Sequence, residues 1–265
     1  MFQISAPIRS HRALRPDIFF LELEAPSIAE KAQPGQFVHI KVSEGFDPLL
    51  RRPFSLHEIK GQEGTLGVLY QVVGKGTKLL SQRQAGEEID LLGPLGKGFS
   101  LNFSGDHGVL LGGGIGVAPL FPLAESLISA GKKVTVLLGA RSEGLILSRE
   151  KFSGLGCRVL VTTDDGSLGE KGNVIELLKK YLTDHPVDFL YACGPEIVLA
   201  HVDRLGVERG IPGEVSLEAM MGCGVGACLS CSCARKDENE TGKKYAKVCS
   251  DGPVFSFGEV QIHGC

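Results

Sequence analysis

Gly108-Val109-Leu110-Leu111-Gly112-Gly113-Gly114-Ile115-Gly116-Val117-Ala118-Pro119 is the stretch whose reading decides the fold. An apolar run without alternation enters a glycine turn, and the turn leads into a helical pattern. A strand that is apolar at every position is buried on both faces, as in a parallel sheet. Val134 to Leu138, Arg158 to Thr163 and Val187 to Ala192 repeat this kind of run. Between and after them, Val174, Leu177, Leu178 and Tyr181, then Val198, Val202 and Leu205, recur at helical spacing. Strand, glycine turn and helix in succession predict a doubly wound parallel α/β nucleotide domain over residues 102–213.

Upstream, residues 1–101 read differently. Phe19, Leu21 and Leu23 alternate with Phe20, Glu22 and Glu24, and Val38, Ile40 and Val42 alternate with His39 and Lys41. Alternation marks half-buried strands. Further runs at Pro53 to Ile59, Leu66 to Val73 and Glu88 to Leu92 are separated by glycine and proline turns. About six short strands predict an antiparallel Greek-key β-barrel. A helix is expected over Lys78 to Gln84, capped by Thr77. Downstream, residues 214–265 form a small cysteine-rich segment.

Composition removes several classes of function. A chain of 265 residues, 43% apolar and 22% charged with net charge -3, has no basic footprint for nucleic acid. Its longest uncharged stretch, Gly108 to Ala124, is broken by five glycines and two prolines, so no membrane span is expected. The N-terminus lacks the pattern of a secretory signal, and a cytoplasmic location is expected. No G-x-S-x-G or H-E-x-x-H pattern points to hydrolysis. The seven histidines are scattered and read as packing or surface residues.

Of eight cysteines, six fall in the last 43 residues. Cys223, Cys228 and Cys231 read C-x4-C-x2-C, with Cys249 to complete four ligands. That spacing belongs to plant-type two-iron two-sulfur ([2Fe-2S]) sites. Zinc is the competing reading, but zinc ribbons pair two C-x2-C knuckles and one is present here. Cys233 competes with Cys231 for the third position, and the spacing selects Cys231. Cys233, Cys157 and Cys265 read as packing or incidental thiols.

Two further patterns suggest phosphate and flavin. Arg52-Pro53-Phe54-Ser55 places a cationic fork and a hydroxyl beside an aromatic ring at a strand start. Gly74-Lys75-Gly76-Thr77 runs into a helix, which suits a phosphate cradle, although it is no Walker A loop. In the α/β region the Gly112 to Pro119 turn departs from the dinucleotide fingerprint, because Pro119 stands where the third glycine is expected. Gly139-Ala140-Arg141 and Cys193-Gly194-Pro195 fall at carboxyl ends of strands, where such sheets bind ligands.

Arg-Pro-Phe-Ser, Gly-x-Gly-Thr, Gly-Gly-Gly-Ile-Gly-x-Ala-Pro-Leu, Cys-Gly-Pro and C-x4-C-x2-C…C occur in this order over essentially the whole chain. Together they resemble the ferredoxin-NADP reductase superfamily and, within it, the electron-transfer subunits of class B dihydroorotate dehydrogenases. The resemblance implies FAD in the barrel, NAD as co-substrate in the α/β domain and a [2Fe-2S] cluster in the tail. It implies a large flavin-containing catalytic partner, a hetero-oligomer such as a heterotetramer, and a place in pyrimidine biosynthesis. Residue by residue, it implies FAD contacts at Arg52, Pro53, Phe54 and Ser55. Leu69, Tyr70 and Gln71 would line its ring or ribose, and Gly76 and Thr77 would hold its pyrophosphate. Gly114, Gly116, Pro119, Arg141, Asp164, Cys193, Gly194 and Pro195 would face the nucleotides, with Cys193 the catalytic candidate. Similar small subunits serve NADH-dependent ferredoxin:NADP oxidoreductases and sulfide dehydrogenases, and some of those replace one cluster cysteine by Asp.

A nicotinamide exchanges two electrons, a cluster one, and a flavin either, so a chain with all three sites is an electron-transfer enzyme subunit. A non-catalytic iron-sulfur carrier is the reading from another class. Asp164-Asp165 follows the strand Arg158 to Thr163 and would favour NAD by accepting from ribose hydroxyls and repelling a 2′-phosphate. An Asp-Gly turn explains the same residues equally well.

Overall fold

A computed structural model describes residues 1–236, 242 and 244–262. Cys265 lies outside the described residues, as do residues 237–241, 243, 263 and 264. Strands β1 (Phe2–Arg15), β2 (Ile18–Glu24), β3 (Phe37–Ile40), β4 (Arg52–Lys60), β5 (Thr65–Gln71) and β6 (Glu88–Leu95) close a barrel in the order β1-β2-β5-β4-β3-β6. Every pairing in it is antiparallel. Inward side chains such as Leu21, Leu23, Val38, Ile40, Leu56, Leu66, Val68 and Leu91 are fully buried and form its core. A short helix α1 (Pro26–Ala29) adds Ile28 and Ala29 to that core.

β1, which precedes the strands expected from Phe19 onward, is 14 residues long, and in its first half Phe2, Ile4, Ala6 and Ile8 alternate with Gln3, Ser5 and Pro7. Its second half, Arg9 to Arg15, is polar and largely exposed, so a hydrophobic pattern is muted there although the backbone pairs with β2. The helix expected over Lys78 to Gln84 instead spans Lys75–Leu80 (α2). Thr77 lies inside its first turn and not at its cap: Gly74 is the cap, and Thr77 Oγ1 accepts from the Val73 and Gly74 N–H groups and donates to the Gly74 carbonyl. The hydroxyl therefore closes the turn that starts the helix.

Strands β7 (His107–Gly113), β8 (Lys133–Ala140), β9 (Arg158–Thr163), β10 (Glu170–Lys171), β11 (Phe189–Cys193) and β12 (Gly213–Ser216) are parallel, in the order β10-β9-β8-β7-β11-β12. Alternate residues serve opposite faces. Leu110, Val136 and Leu138 pack with α3 (Leu120–Ser129) and α4 (Arg149–Gly154); Val109, Leu111 and Leu137 pack with α5 (Val174–Asp184) and α6 (Glu196–Arg209). Helix α5 starts at a capping box, Asn173 Oδ1 accepting from the Ile175 and Glu176 N–H groups.

The cysteine-rich segment holds three short strands, β13 (Ser232–Ala234), β14 (Tyr245–Lys247) and β15 (Val254–Ser256). β13 and β14 form a two-stranded ribbon, while β15 pairs antiparallel with β12 and becomes the seventh strand of the large sheet. The segment thus docks on the sheet that precedes it in sequence. Among the described residues no helix is long and apolar enough to cross a membrane.

Candidate functional site

A groove of about 300 Å³ runs along β4 and β5 to the start of α2, lined by Arg52, Pro53, Phe54, Ser55, Leu69, Tyr70, Gln71 and Thr77. Pro119, Glu218 and Met221 close its far side. Tyr70 is held by its hydroxyl against His11 Nε2 at 2.9 Å and packs edge-on to Phe54. Burial pushes its phenol well above the usual range. Gly76 lies under Arg52: a Cβ there would stand 2.9 Å from Arg52 Nε, so the absence of a side chain lets the guanidinium cross the turn. A cation, a bare turn and an aromatic wall in one groove fit a flavin with its pyrophosphate.

Beyond Gln71 the groove opens into two hollows at the carboxyl ends of the parallel strands. One, of about 440 Å³, is lined by Gly113, Gly114, Gly116, Gly194, Pro195 and Glu218. The other, of about 400 Å³, is lined by Gly114, Arg141, Asp164, Asn173 and Pro195. Gln71 lines both, as it lines the barrel groove. The strand-end loops touch through backbone, since a Cβ on Gly116 would stand 2.5 Å from Gly194 Cα. Close backbone approach at a strand switch suits a dinucleotide.

Asp164 and Asp165 have different surroundings. Asp165 Oδ1 accepts from Ser167 N–H and Oγ, which lowers its pKa and fixes the turn. Asp164 lines the same hollow as Arg141. Cys193 is buried at the end of β11, and burial, reinforced by nearby Glu218, pushes its thiol far up. At neutral pH it is a thiol, not a thiolate.

The sequence reading missed Glu218. It is accessible at the mouth of the groove yet hemmed in by protein, and that desolvation raises its pKa. Leu217 and Glu218 follow directly on β12, beside β11, so the strand-end rule that singled out Cys193 also reaches them.

The third site is a loop of peptide N–H groups aimed at sulfur. Val225, Ala227 and Cys228 N–H groups point at Cys223 Sγ at 3.4, 3.3 and 3.4 Å. Cys223 N–H points at Cys228 Sγ at 3.3 Å. Gly226 N–H reaches Cys249 Sγ at 3.1 Å, and Cys249 N–H reaches Cys231 Sγ at 3.4 Å. The sulfurs are therefore organised as two pairs, Cys223 with Cys228 and Cys231 with Cys249, joined through Gly226. Two thiolates per iron is what a two-iron cluster takes. Among the described residues no three His, Cys, Asp or Glu side chains are placed to hold a single metal ion. Burial and the adjacent Cys231 push the Cys249 thiol up to about 12, whereas hydrogen bonds from Ser230 and Cys223 pull exposed Cys228 down to about 6. Deprotonating Cys249 therefore calls for a cationic partner, which iron would supply.

Cys233 stands opposite Ala246 on the β13–β14 ribbon and is buried in the core, as Cys157 is buried elsewhere. Histidines depart from the expectation of satisfied packing at one position: His39 is wholly buried, and neither ring nitrogen has a hydrogen-bond partner among the described residues.

Residues 218–261 match the iron-sulfur cluster binding domain of dihydroorotate dehydrogenase B, and residues 110–204 match the oxidoreductase NAD-binding domain. The chain is 44% identical over 245 residues to the dihydroorotate dehydrogenase B (NAD(+)) electron transfer subunit of Desulforamulus reducens, covering 92% of this chain and 93% of that one. It is 44% identical over 255 residues to the subunit of the same name from Geobacillus thermodenitrificans, covering 96% of each. Among solved structures, one of NADH-dependent reduced ferredoxin-NADP oxidoreductase, a flavin-based electron-bifurcating enzyme, superposes with TM-score 0.86 at 32% identity over 97% of this chain and 90% of that one. A ferredoxin NADP+ reductase from Neisseria gonorrhoeae with bound FAD and NADP shares the fold, with TM-score 0.65 at 19% identity over 77% of this chain and 90% of that one.

Proposed function

The chain belongs to the family of electron transfer subunits of dihydroorotate dehydrogenase B, and on that premise we propose that it carries electrons between a dihydroorotate-oxidising flavoprotein subunit and NAD. The observation that carries this reading is the contiguity of three sites. The barrel groove and the strand-end hollows share Gln71, and the groove also reaches Met221, two residues before Cys223. FAD, NAD and a [2Fe-2S] cluster supply the change from two-electron to one-electron chemistry that no side chain has.

The residues hold and orient. Arg52 and Ser55 would bind the flavin side with Pro53, Phe54, Leu69 and Tyr70 as its walls, and Gly76 and Thr77 would shape the turn for its pyrophosphate. Gly114, Gly116, Arg141, Asp164, Gly194 and Pro195 would hold the pyridine nucleotide, with Pro119 between it and the flavin. Cys193 would act near the nicotinamide as a neutral thiol that packs and does not exchange protons. Cys223, Cys228, Cys231 and Cys249 would ligate the iron, and the peptide N–H groups around their sulfurs would stabilise negative charge there. The barrel, the α/β unit, which runs on through β12 to Ser216 and so past the boundary expected at residue 213, and the cysteine-rich segment after it carry these sites. The complex is a cytoplasmic hetero-oligomer, and its product serves pyrimidine biosynthesis.

The similarity to the bifurcating reductase supports a second reading, the small subunit of such an enzyme. A full set of four cysteines favours the first. Reconstitution with a dihydroorotate-oxidising flavoprotein decides: dihydroorotate-dependent NADH formation requires this chain under the first reading. Ferredoxin-dependent NADP reduction with a different large subunit, and none with dihydroorotate, would transfer the assignment to the second.

A further inference from the structure

His39 stands on β3, where alternation separates two environments. Val38 and Ile40 enter the barrel core, while Phe37 on the opposite face joins the core that holds Cys231 and Cys249. His39 shares the side of Phe37, their rings 5.9 Å apart. Its ladder neighbours are Pro53, which has no N–H, and Leu92. The covering element on the ring is the cysteine loop: a Cβ on Gly224 would stand 2.7 Å from His39 Nδ1 and 2.8 Å from Cε1. Gly224 has φ +72° and sits between Cys223 and Cys228.

Both ring nitrogens are buried without a partner among the described residues. Native interiors nearly always satisfy such groups, and whatever its tautomer the ring carries at least one N–H. The Arg83 and Arg235 guanidiniums are buried in part but charge-paired, Arg83 Nε 2.8 Å from Glu87 Oε2 and Arg235 Nη1 2.7 Å from Glu259 Oε1. His39 does not line the flavin groove, although its neighbour Pro53 does. The four cysteines fill the ligand count, so the imidazole is not needed on iron.

We propose that His39 is a positioning residue that donates its imidazole N–H to the iron-sulfur cluster held by the Cys223–Cys228 loop, and that it sets the reduction potential of that cluster. The inference rests on the cysteine assignment above. A hydrogen bond to cluster sulfur stabilises the more negative, reduced form and so raises the potential. Because β3 also pairs with the flavin strand β4, the same side chain fixes the loop against the barrel wall that carries the flavin.

The test uses the complete complex. Wild type, His39→Leu and His39→Gln are compared by iron and sulfide content and by redox titration followed by electron paramagnetic resonance. His39→Leu is expected to shift the midpoint downward, and His39→Gln, which keeps an N–H donor, to restore part of the shift. Wild type labelled with ¹⁵N-histidine is expected to show nitrogen coupling to the reduced cluster, and this measurement decides if the leucine variant fails to assemble. An unshifted midpoint in an iron-replete His39→Leu complex, or no histidine coupling in wild type, overturns the proposal while leaving the cysteine assignment standing. Wild type without iron and sulfide overturns both.

Discussion

In the barrel, Leu21, Leu23, Val38, Ile40, Leu56, Leu66, Val68 and Leu91 close on one another, so the core comes from the strands that surround it. In the cysteine-rich segment, Cys231, Cys233, Ala246, Val248 and Cys249 pack against Phe37 and Leu95 of the barrel and Val215 of the sheet. Its three strands have three residues each, too few to bury a core of their own. One region is stabilised by its own burial. The other depends on neighbours and on the metal its thiols hold, in the manner of small metal-stapled domains.

The most severe way to break this contrast is to remove a ligand. Cys249→Ser is expected to abolish bound iron and to expose the segment after β12 to limited proteolysis, with flavin content close to wild type. Iron analysis beside the flavin absorption spectrum checks it, and loss of flavin together with iron would show that the barrel leans on the tail as well. Next in size is a cavity in the barrel: Leu21→Ala should cost about 3 kcal/mol in denaturant unfolding and release flavin. Because Phe37 and Leu95 cover the cysteine-rich segment from the barrel side, the iron-sulfur absorption of this variant is expected to be lost at lower denaturant than in wild type.

A smaller effect comes from His57, which joins the barrel to the α/β domain. Its Nδ1 is 3.0 Å from the Ala118 carbonyl, and Glu58 beside it pairs with Lys151. Burial, aided by the Lys151 charge, holds its pKa down at about 4 despite the Ala118 and Glu58 contacts that raise it. Folding therefore excludes a proton that the unfolded chain binds below about 6.5. Stability from this residue is complete above that pH and falls as pH is lowered towards 4, by about 2 kcal/mol between pH 6.5 and 5. His57→Asn, which keeps a donor near Ala118, should flatten that part of the stability curve relative to wild type.

The mildest test lies where the fold has a core to spare. Asp164→Ser should leave the melting temperature unchanged and raise kcat/KM with NADPH relative to NADH about fivefold, close to 1 kcal/mol. An unchanged ratio would reduce Asp164 to a turn residue like Asp165.

The parts of the site that were legible are those written in consecutive residues. C-x4-C-x2-C, Arg52 to Ser55 and the Gly112 to Pro119 turn each carry a local backbone or ligand requirement, and the structure brings Arg52 to Ser55 and Pro119 into one groove. Glu218 escaped because its position at a strand end is a property of the sheet. His39 escaped because alternation marks a residue as half-buried without saying what covers it. The Lys78 to Gln84 helix was misplaced by one turn because Thr77 has capping chemistry, and only the observed turn shows that chemistry spent inside the helix.

The sequence by itself determined the barrel, the parallel sheet and the iron-sulfur class of the tail, because strand period, glycine turns and cysteine spacing are short-range properties of the chain. Tertiary structure alone decided that β15 completes the sheet, that Gln71 joins three pockets, and that β3 presents His39 to Gly224. Each of these pairs residues far apart in the chain, and their meeting is set by how separate elements bury their remaining faces, which no local pattern records.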